Sequence, residues 1–349
     1  MKPYPLMGQP RLQRAGHGPH SQRGHTRSPT FRAVFFGLVL ALAVFFLGPT
    51  NSFGPDVPAS RESPPDIVAL DQWLVDQEAA FPDIRPGLER QIRWYGESGV
   101  RTDWSVVYVH GFTASLLETA PLADWVAESL GANLFYTRLT GHGRTADAMG
   151  EANVQDWLAD TVEAVEIGHR IGERVLLIGV STGATLGTWV GNRPEGEDVT
   201  GFVFISPNYG PRDKRSEWIN QPWGMRLALH LEGETRGRLS QDPLKNHAWT
   251  NVHPTRALFP MMALVKGVRD SDLSGFTAPL LVLYSEQDRV VDPREITALF
   301  PRIGSENKTL RVVDDSEAPD QHVLAGDLTA PRTTRRMADE IVQWARSLP

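Results

Sequence analysis

Residues 175–187 read VLLIGVSTGATLG, an apolar run that breaks at a turn around Ser181 and continues as a segment rich in small and aliphatic residues. The run Val175–Ile178 predicts a fully buried strand, and the residues after Ser181 predict a helix. Gly179 and Gly183 would let that strand and helix approach closely, so the serine would lie on a sharp, strained turn with an exposed hydroxyl. This context favours a nucleophilic Ser181, and a plain Gly/Ser loop is the alternative.

Length and composition limit the classes of protein to consider. The chain has 349 residues, 41% of them hydrophobic, and no cysteine. The length allows one large α/β domain with insertions or two smaller domains, and without cysteine the chain has no disulfide, cysteine nucleophile or thiolate metal site. Six basic and no acidic residues precede residue 33, which leaves 29 basic against 42 acidic residues, a net charge of −13, for the rest. An acidic body argues against nucleic acid as a partner.

The N-terminal region differs from the rest. Residues 1–32 are polar, basic and rich in Gly and Pro, which predicts a disordered tail. Residues 33–48 form an apolar segment whose uncharged part would span about 22 Å as a helix, less than a hydrocarbon core of about 30 Å. We favour a signal anchor, with the catalytic domain exported to the periplasm or outside the cell, because the basic region is long and no clear cleavage site follows. A cleaved secretory signal and a buried core helix are the alternatives. Residues 49–65 contain five prolines and predict an extended linker.

Residues 66–349 predict one catalytic domain, because apolar strands alternate with amphipathic helices from Ser105 onwards. Such repeated units indicate a mostly parallel sheet with helices on both faces. The alternation stops at about residues 207–274, a segment rich in Trp, Phe and Met, which predicts an inserted cap. Gln91–Tyr95 is a candidate first strand. The further predicted strands are Val106–Val109, Asn133–Thr137, Val175–Val180, Val199–Ile205, Leu280–Tyr284 and Lys308–Val313, and the predicted helices include Glu118–Leu130, Val154–Ile171 and Thr333–Leu348.

A serine nucleophile needs a base to take its proton and an acid to orient that base. In folds of this class the acid and the base follow the serine along the chain. Asp288 lies just after strand Leu280–Tyr284, at a carboxyl edge where parallel sheets form their sites. Glu286 is an alternative acid, whereas Asp292 better fits a helix cap. His322 is the single histidine after Asp288 and is the predicted base.

A tetrahedral intermediate also needs fixed donors for its oxyanion. The backbone N–H of Thr182 is one predicted donor, and that of Phe112 is the other, in a loop where Gly111 permits a tight turn. The loop Thr140–Gly143 is expected to shape the site, and direct substrate contact is the alternative. The chain has no H-E-x-x-H or similar ligand spacing, so we expect no metal and no cofactor.

Together these motifs resemble the α/β-hydrolase superfamily, and most closely its bacterial monoacylglycerol lipase and carboxylesterase branch. The resemblance implies an eight-stranded, mostly parallel sheet with a helical cap after the sixth strand. It also implies a Ser181–Asp288–His322 triad and cofactor-free hydrolysis of carboxylic esters through an acyl-enzyme on Ser181. The segments that carry the resemblance are His110-Gly111-Phe112, Arg138–Gly143, Asp156-Trp157, Gly179–Gly183, Ser285–Asp292 and His322-Val323.

The substrate stays open, because the cap sequence matches neither group of that branch. A small acyl ester or lipid is expected, and the aromatic residues of the cap would either line an apolar acyl pocket or only pack the cap onto the domain. The same triad could also serve thioester, amide or acyl-transfer chemistry. A non-catalytic lipid-binding protein on this scaffold is the alternative outside enzymes. The sequence contains no signal for or against a particular oligomeric state.

Overall fold

The computed structural model describes residues 29–54 and 65–349, and the chain divides into two compact units, 1–47 and 48–349. The predicted tail up to residue 28 and residues 55–64 of the predicted linker lie outside the described residues. In the first unit, one helix, α1 (Pro29–Phe46), overlaps the apolar segment predicted at 33–48. Across the described ranges, the chain forms no helix with both the length and the apolar character needed to cross a membrane. The membrane anchor stays a prediction.

The second unit contains the predicted alternation of strands and helices. Its strands are β1 (Gln91–Arg93), β2 (Thr102–Val109), β3 (Asn133–Tyr136), β4 (Gly172–Val180), β5 (Gly201–Ile205), β6 (Thr235–Gly237), β7 (Val252–Pro254), β8 (Leu280–Tyr284) and β9 (Lys308–Val312). Its α-helices are α2 (Leu70–Glu78), α3 (Leu122–Leu130), α4 (Val154–Ile171), α5 (Thr182–Gly191), α6 (Gly224–Glu232), α7 (Pro243–Ala248), α8 (Leu258–Asp270), α9 (Pro293–Leu299) and α10 (Pro331–Arg346).

The main sheet has the strand order β1-β3-β2-β4-β5-β8-β9. Strand β1 is antiparallel to β3, and every other pair in this sheet is parallel. The mostly parallel sheet that the sequence predicts is therefore confirmed. Because β2, β4, β5 and β8 all point the same way, the loops that follow them meet at one edge of the sheet.

Both faces of the sheet are buried, which explains the continuous apolar runs in the sequence. In β4, Val175 and Leu177 pack on the face that carries α4 and α5, whereas Leu176 and Ile178 pack on the face that carries α3 and α10. All four side chains are fully buried. The strand that leads to Ser181 is thus fixed from both sides.

The sheet differs in one respect from the expected architecture. In the described part of the chain it has seven strands rather than eight, and the cap follows the fifth of them rather than the sixth. Among the described residues only β1 precedes β2 in this sheet, because residues 65–90 form α2 and then turn around Pro82 and Pro86. Proline lacks the N–H that a further strand would need there.

The cap lies between β5 and β8, as predicted, but it is not purely helical. Besides α6, α7 and α8 it contains an antiparallel pair, β6 and β7, which the sequence analysis did not predict. Helix α8 is largely buried. In contrast, Trp218, Leu227 and Leu231 of the cap are 60%, 41% and 70% exposed.

A short segment, residues 48–54, packs against this unit ahead of the residues that are not described. The side-chain amide of Asn51 donates to Asn220 Oδ1 at 2.8 Å and to the Phe259 carbonyl at 2.7 Å. The ring of Phe53 covers Gly267, where a larger residue would collide with it. The compact unit therefore begins at Gly48, the last residue of the predicted apolar segment, and includes the start of the stretch predicted as a linker.

Candidate active site

Ser181 occupies the turn between β4 and α5. Its φ and ψ are 52° and −114°, a strained conformation for a residue with a side chain. A Cβ at Gly183 would collide with the carbonyl oxygen of Val109, and one at Gly179 would lie 2.8 Å from the backbone of Ala184. The glycines therefore permit the close approach of strand and helix that the sequence predicts.

Three predicted residues form one hydrogen-bonded chain. Ser181 Oγ lies 2.9 Å from His322 Nε2, and His322 Nδ1 lies 2.7 Å from Asp288 Oδ2. Asp288 and His322 are 1% and 6% exposed, and Ser181 is 8% exposed. A carboxylate only accepts, so Nδ1–H donates to Asp288 and leaves Nε2 free to accept from the serine hydroxyl.

The loop after β8 positions the carboxylate of Asp288 for its contact with His322. Its Oδ1 accepts hydrogen bonds from the N–H groups of Val290 and Val291, at 2.7 and 2.9 Å, which leaves Oδ2 for His322. Glu286, the alternative acid, is exposed to solvent. Asp292 caps helix α9 by accepting from Arg294 N–H at 3.1 Å, as predicted.

The loop after β2 lies beside the nucleophile. A Cβ added at Gly111 would lie 3.3 Å from Ser181 Cβ, so the loop contacts the turn directly. Among the residues that the structure describes, neither Phe112 N–H nor Thr182 N–H donates to another protein group. Two backbone donors next to a serine suit an oxyanion, and this role for Phe112 and Thr182 stays a prediction.

A family comparison agrees with this geometry. Residues 101–317, more than half of the chain, match the family described as serine aminopeptidase, S33. The chain belongs to the S33 family. No curated protein sequence matches the chain significantly.

Solved structures resemble this S33-family chain in fold. A lipolytic enzyme of the metagenome-derived pair LipS and LipT is 22% identical with a TM-score of 0.59, and the match covers 75% of this chain and 99% of the other. The monoglyceride lipase of Saccharomyces cerevisiae is 14% identical (TM-score 0.55; 74% and 90% covered). The monoacylglycerol lipase of Paleococcus ferrophilus is 16% identical (0.54; 74% and 98%). These likenesses confirm the α/β-hydrolase fold.

The loop that carries His322 is fixed to the sheet of the S33-family chain. Ser206 Oγ donates to the His322 carbonyl at 2.7 Å, and His322 N–H donates to Asp320 Oδ1 at 3.1 Å. Burial alone would lower the pKa of His322, but the hydrogen bond and charge of Asp288, with smaller contributions from Asp320 and Glu118, raise it above the ordinary value. The imidazole is therefore a stronger base than a free histidine.

His110 connects the loop after β2 to the loop after β3. Its Nε2 accepts from Leu139 N–H at 3.1 Å, so Nδ1–H donates to the Gly111 carbonyl at 2.9 Å. Burial lowers the pKa of His110 to about 4, and the ring is neutral at physiological pH. His110 thus supports the site rather than taking part in the chemistry.

The Arg138–Gly143 loop of this S33-family chain is anchored by buried charges. Glu78 of α2 accepts from Arg138 Nε at 2.7 Å and from Arg90 Nε at 2.7 Å, and all three residues are less than 10% exposed. Burial alone would raise the pKa of Glu78, but Arg138 and Arg90 lower it below its ordinary value. These contacts hold the loop in place, and its expected role in shaping the site stays a prediction.

Sequence analysis missed a contact between the cap and the loop after β2. Thr250 N–H donates to the Thr113 carbonyl at 2.7 Å, and the ring of His253 packs edge-on against Phe112 with ring centres 5.4 Å apart. Thr113 has a positive φ of 63°. No local pattern marks Thr250 or His253, because the contact depends on how the cap folds back over the sheet.

Glu118 was also missed, because the sequence analysis placed it in a helix from Glu118 to Leu130. The helix instead begins at Leu122, after a loop that ends in Pro121. The carboxyl group of Glu118 is buried, and it accepts from Gly111 N–H at 2.7 Å and from Tyr108 Oη at 3.1 Å. A signal was available, since Glu118 is the one charged residue between positions 114 and 123.

Proposed function

We propose that this chain is a serine hydrolase that cleaves carboxylic esters through an acyl-enzyme on Ser181, without a cofactor. The observation that carries the proposal is the hydrogen-bonded chain from Asp288 through His322 to Ser181, with distances of 2.7 and 2.9 Å. It ends on a strained serine next to two unoccupied backbone donors. A structural serine needs neither a base nor such a turn.

The chemistry follows from these contacts. His322 Nε2 takes the Ser181 proton while Oγ attacks the ester carbonyl carbon, and the carbonyl oxygen becomes an oxyanion held by Phe112 N–H and Thr182 N–H. The imidazolium, stabilised by Asp288, returns the proton to the leaving alkoxide, and the alcohol departs. Water, deprotonated by His322, then attacks the acyl-enzyme, and the acid and free Ser181 are released.

The surroundings of the triad favour esters over peptides, although the family description names aminopeptidases. An aminopeptidase must hold the ammonium group of its substrate, for which a carboxylate is the usual partner. Two carboxyl groups beside the loops around Ser181 already have partners: Asp288 bonds His322 and two N–H groups, and Glu118 bonds Gly111 and Tyr108. The structural neighbours named as lipases and lipolytic enzymes support the same choice.

Labelling of the full chain with a fluorophosphonate probe tests the proposal, because the probe reacts only with an activated serine. We expect the wild-type chain to be labelled and Ser181→Ala to be unlabelled at an unchanged melting temperature. Ser305→Ala is the matched control: Ser305 is 2% exposed and its Oγ has no partner among the described residues. Ser305 precedes β9 and so lies at the amino ends of the parallel strands, whereas Ser181 lies at their carboxyl ends. This variant should therefore be labelled like wild type.

A substrate series then separates ester from peptide chemistry. p-Nitrophenyl esters of increasing acyl length should be hydrolysed, and aminoacyl p-nitroanilides should not. Labelling of Ser181→Ala, or no labelling of a folded wild-type chain, would contradict the serine mechanism. Faster cleavage of the anilides would replace the ester proposal with an aminopeptidase.

A further inference from the structure

Glu118 is a buried acidic group that the proposed mechanism does not use. It is 2% exposed and lies between β2 and α3. Its Oε1 accepts from Gly111 N–H at 2.7 Å and from Tyr108 Oη at 3.1 Å, and Tyr108 Oη also bonds Thr119 Oγ1 at 2.7 Å. Two donors therefore hold one oxygen of the carboxyl group in place.

This carboxyl group contacts the loop that carries the predicted oxyanion donor. A Cβ added at Gly111 would lie 3.1 Å from Glu118 Oε2 and 3.3 Å from Ser181 Cβ, so the acid and the nucleophile flank the same point. The bond to Gly111 N–H fixes the peptide plane between His110 and Gly111. The next peptide plane carries Phe112 N–H, so its orientation depends on that bond.

Placing a carboxyl group here has a cost that packing alone would not require. Burial raises the pKa of Glu118 to about 8, although the bonds from Gly111 and Tyr108 and the nearby His322 act in the opposite direction. An apolar side chain of the same size would avoid this penalty. It would also leave Gly111 N–H without an acceptor, so the acceptor is what the position supplies.

We propose that Glu118 is a positioning residue of the oxyanion hole, which holds Gly111 N–H and thereby directs Phe112 N–H towards the substrate carbonyl oxygen. This inference rests on the proposed function. A donor that is misdirected weakens the bond to the oxyanion more than the bond to the neutral carbonyl. Loss of the anchor should therefore lower kcat and leave KM nearly unchanged.

Two substitutions separate the placement of the acceptor from the presence of a carboxyl group. Glu118→Gln keeps an acceptor oxygen at the same distance but cannot ionise, whereas Glu118→Asp keeps the carboxyl group but is one methylene too short to reach Gly111. With p-nitrophenyl butyrate and full-length protein, we expect kcat of Glu118→Gln to stay within about threefold of wild type. We expect kcat of Glu118→Asp to fall about 10- to 100-fold, with KM within about twofold.

A purely structural role predicts a different result. It would lower the fraction of folded protein in both variants, but kcat per fluorophosphonate-titrated site would not change. An unchanged kcat in Glu118→Asp overturns the proposal, as does a Glu118→Gln variant as slow as Glu118→Asp. If the aspartate variant does not fold, Glu118→Met, which has similar length and no carboxyl acceptor, takes its place with the same expected loss of kcat.

Failure of the proposed function can be recognised separately, because amide hydrogen exchange of residues 110–117 needs no substrate. If the wild-type chain neither hydrolyses esters nor is labelled, the proposed function fails. Exchange at Gly111 should still rise at least tenfold in Glu118→Asp relative to Glu118→Gln. Equal exchange in the two variants would show that Glu118 does not anchor the loop, and would overturn this inference as well.

Discussion

The sheet domain and the cap of this protein differ in how far their apolar side chains are buried. In β4, which leads to Ser181, the residues from Val175 to Val180 are all buried, and each face of the strand packs on helices. In the cap, Trp218, Leu227 and Leu231 line an open groove of about 560 Å³ and remain largely in contact with solvent. The proposed chemistry thus lies on the region fixed by burial, and the cap retains apolar surface that folding does not use.

The largest expected effect concerns the acid of the triad in the sheet domain. In Asp288→Asn the new amide can donate to His322 Nδ1, which favours the tautomer with a proton on Nε2, the atom that must accept from Ser181. We expect kcat to fall about 10³- to 10⁴-fold, roughly 4 to 5.5 kcal/mol, with the fold retained. Ester hydrolysis by the purified variant measures this.

Asp292→Asn is the matched control for that substitution. Asp292 is equally buried and lies four residues away, but it caps α9, and asparagine can cap as well. Its kcat should stay within a few-fold of wild type. If Asp292→Asn were the more damaging of the two, the assignment of Asp288 as the triad acid would be wrong.

The second effect concerns buried charge. Glu78→Gln removes the charge that pairs with Arg138 and that, together with Glu163, compensates Arg90, so the free energy of unfolding should fall by about 3–5 kcal/mol, measured by chemical denaturation. In the cap region, Asp270 forms an exposed i, i+4 pair with Lys266, and Asp270→Asn should change the free energy of unfolding by less than about 0.5 kcal/mol. Equal effects would contradict the contrast between the two regions.

The third test makes the same substitution in both regions. Leu177 is fully buried in β4, and Leu177→Ala should lower the free energy of unfolding by about 2–5 kcal/mol. Leu231 is 70% exposed, and Leu231→Ala should change it by less than about 0.5 kcal/mol. Thermal and chemical denaturation of the two variants measure the difference. A large loss in Leu231→Ala would mean that the cap groove is closed in solution.

The smallest expected effect is the dependence of kcat/KM on pH. His322 must be neutral to act as a base, and its pKa lies above the ordinary value of 6.5. The acid limb of kcat/KM should therefore lie above pH 6.5, with activity falling tenfold, about 1.4 kcal/mol, for each pH unit below the pKa. The groups that raise the pKa of His322 belong to the sheet domain, so Leu231→Ala should leave the acid limb of kcat/KM unchanged. A limb at or below pH 6.5 would contradict the raised pKa.

The same contrast explains what the sequence could predict. Ser181 and Asp288 follow buried strands closely, and His322 is the single histidine downstream of Asp288. Strand order brings their loops to one edge, so local pattern predicted which three side chains meet there. Thr250 contacts Thr113, a residue far away in the chain, and the pair β6 and β7 forms only as the cap folds. Glu118 contacts residues only seven and ten positions away, but these contacts depend on the shape of the loop and not on a repeating pattern. No local period encodes such contacts. The eighth strand that the described part of the chain lacks has a local cause instead, since Pro82 and Pro86 lie just upstream of β1.

The hydrogen bond from Thr250 N–H to the Thr113 carbonyl joins the cap to the loop that carries Phe112. Thermodynamic linkage makes such a connection reciprocal: if the position of the cap changes the affinity of the loop for an oxyanion, an oxyanion in the loop changes the preference of the cap by the same free energy. The cap is then part of the equilibrium that binds the transition state, and a molecule that only touches the cap can alter the rate at Ser181.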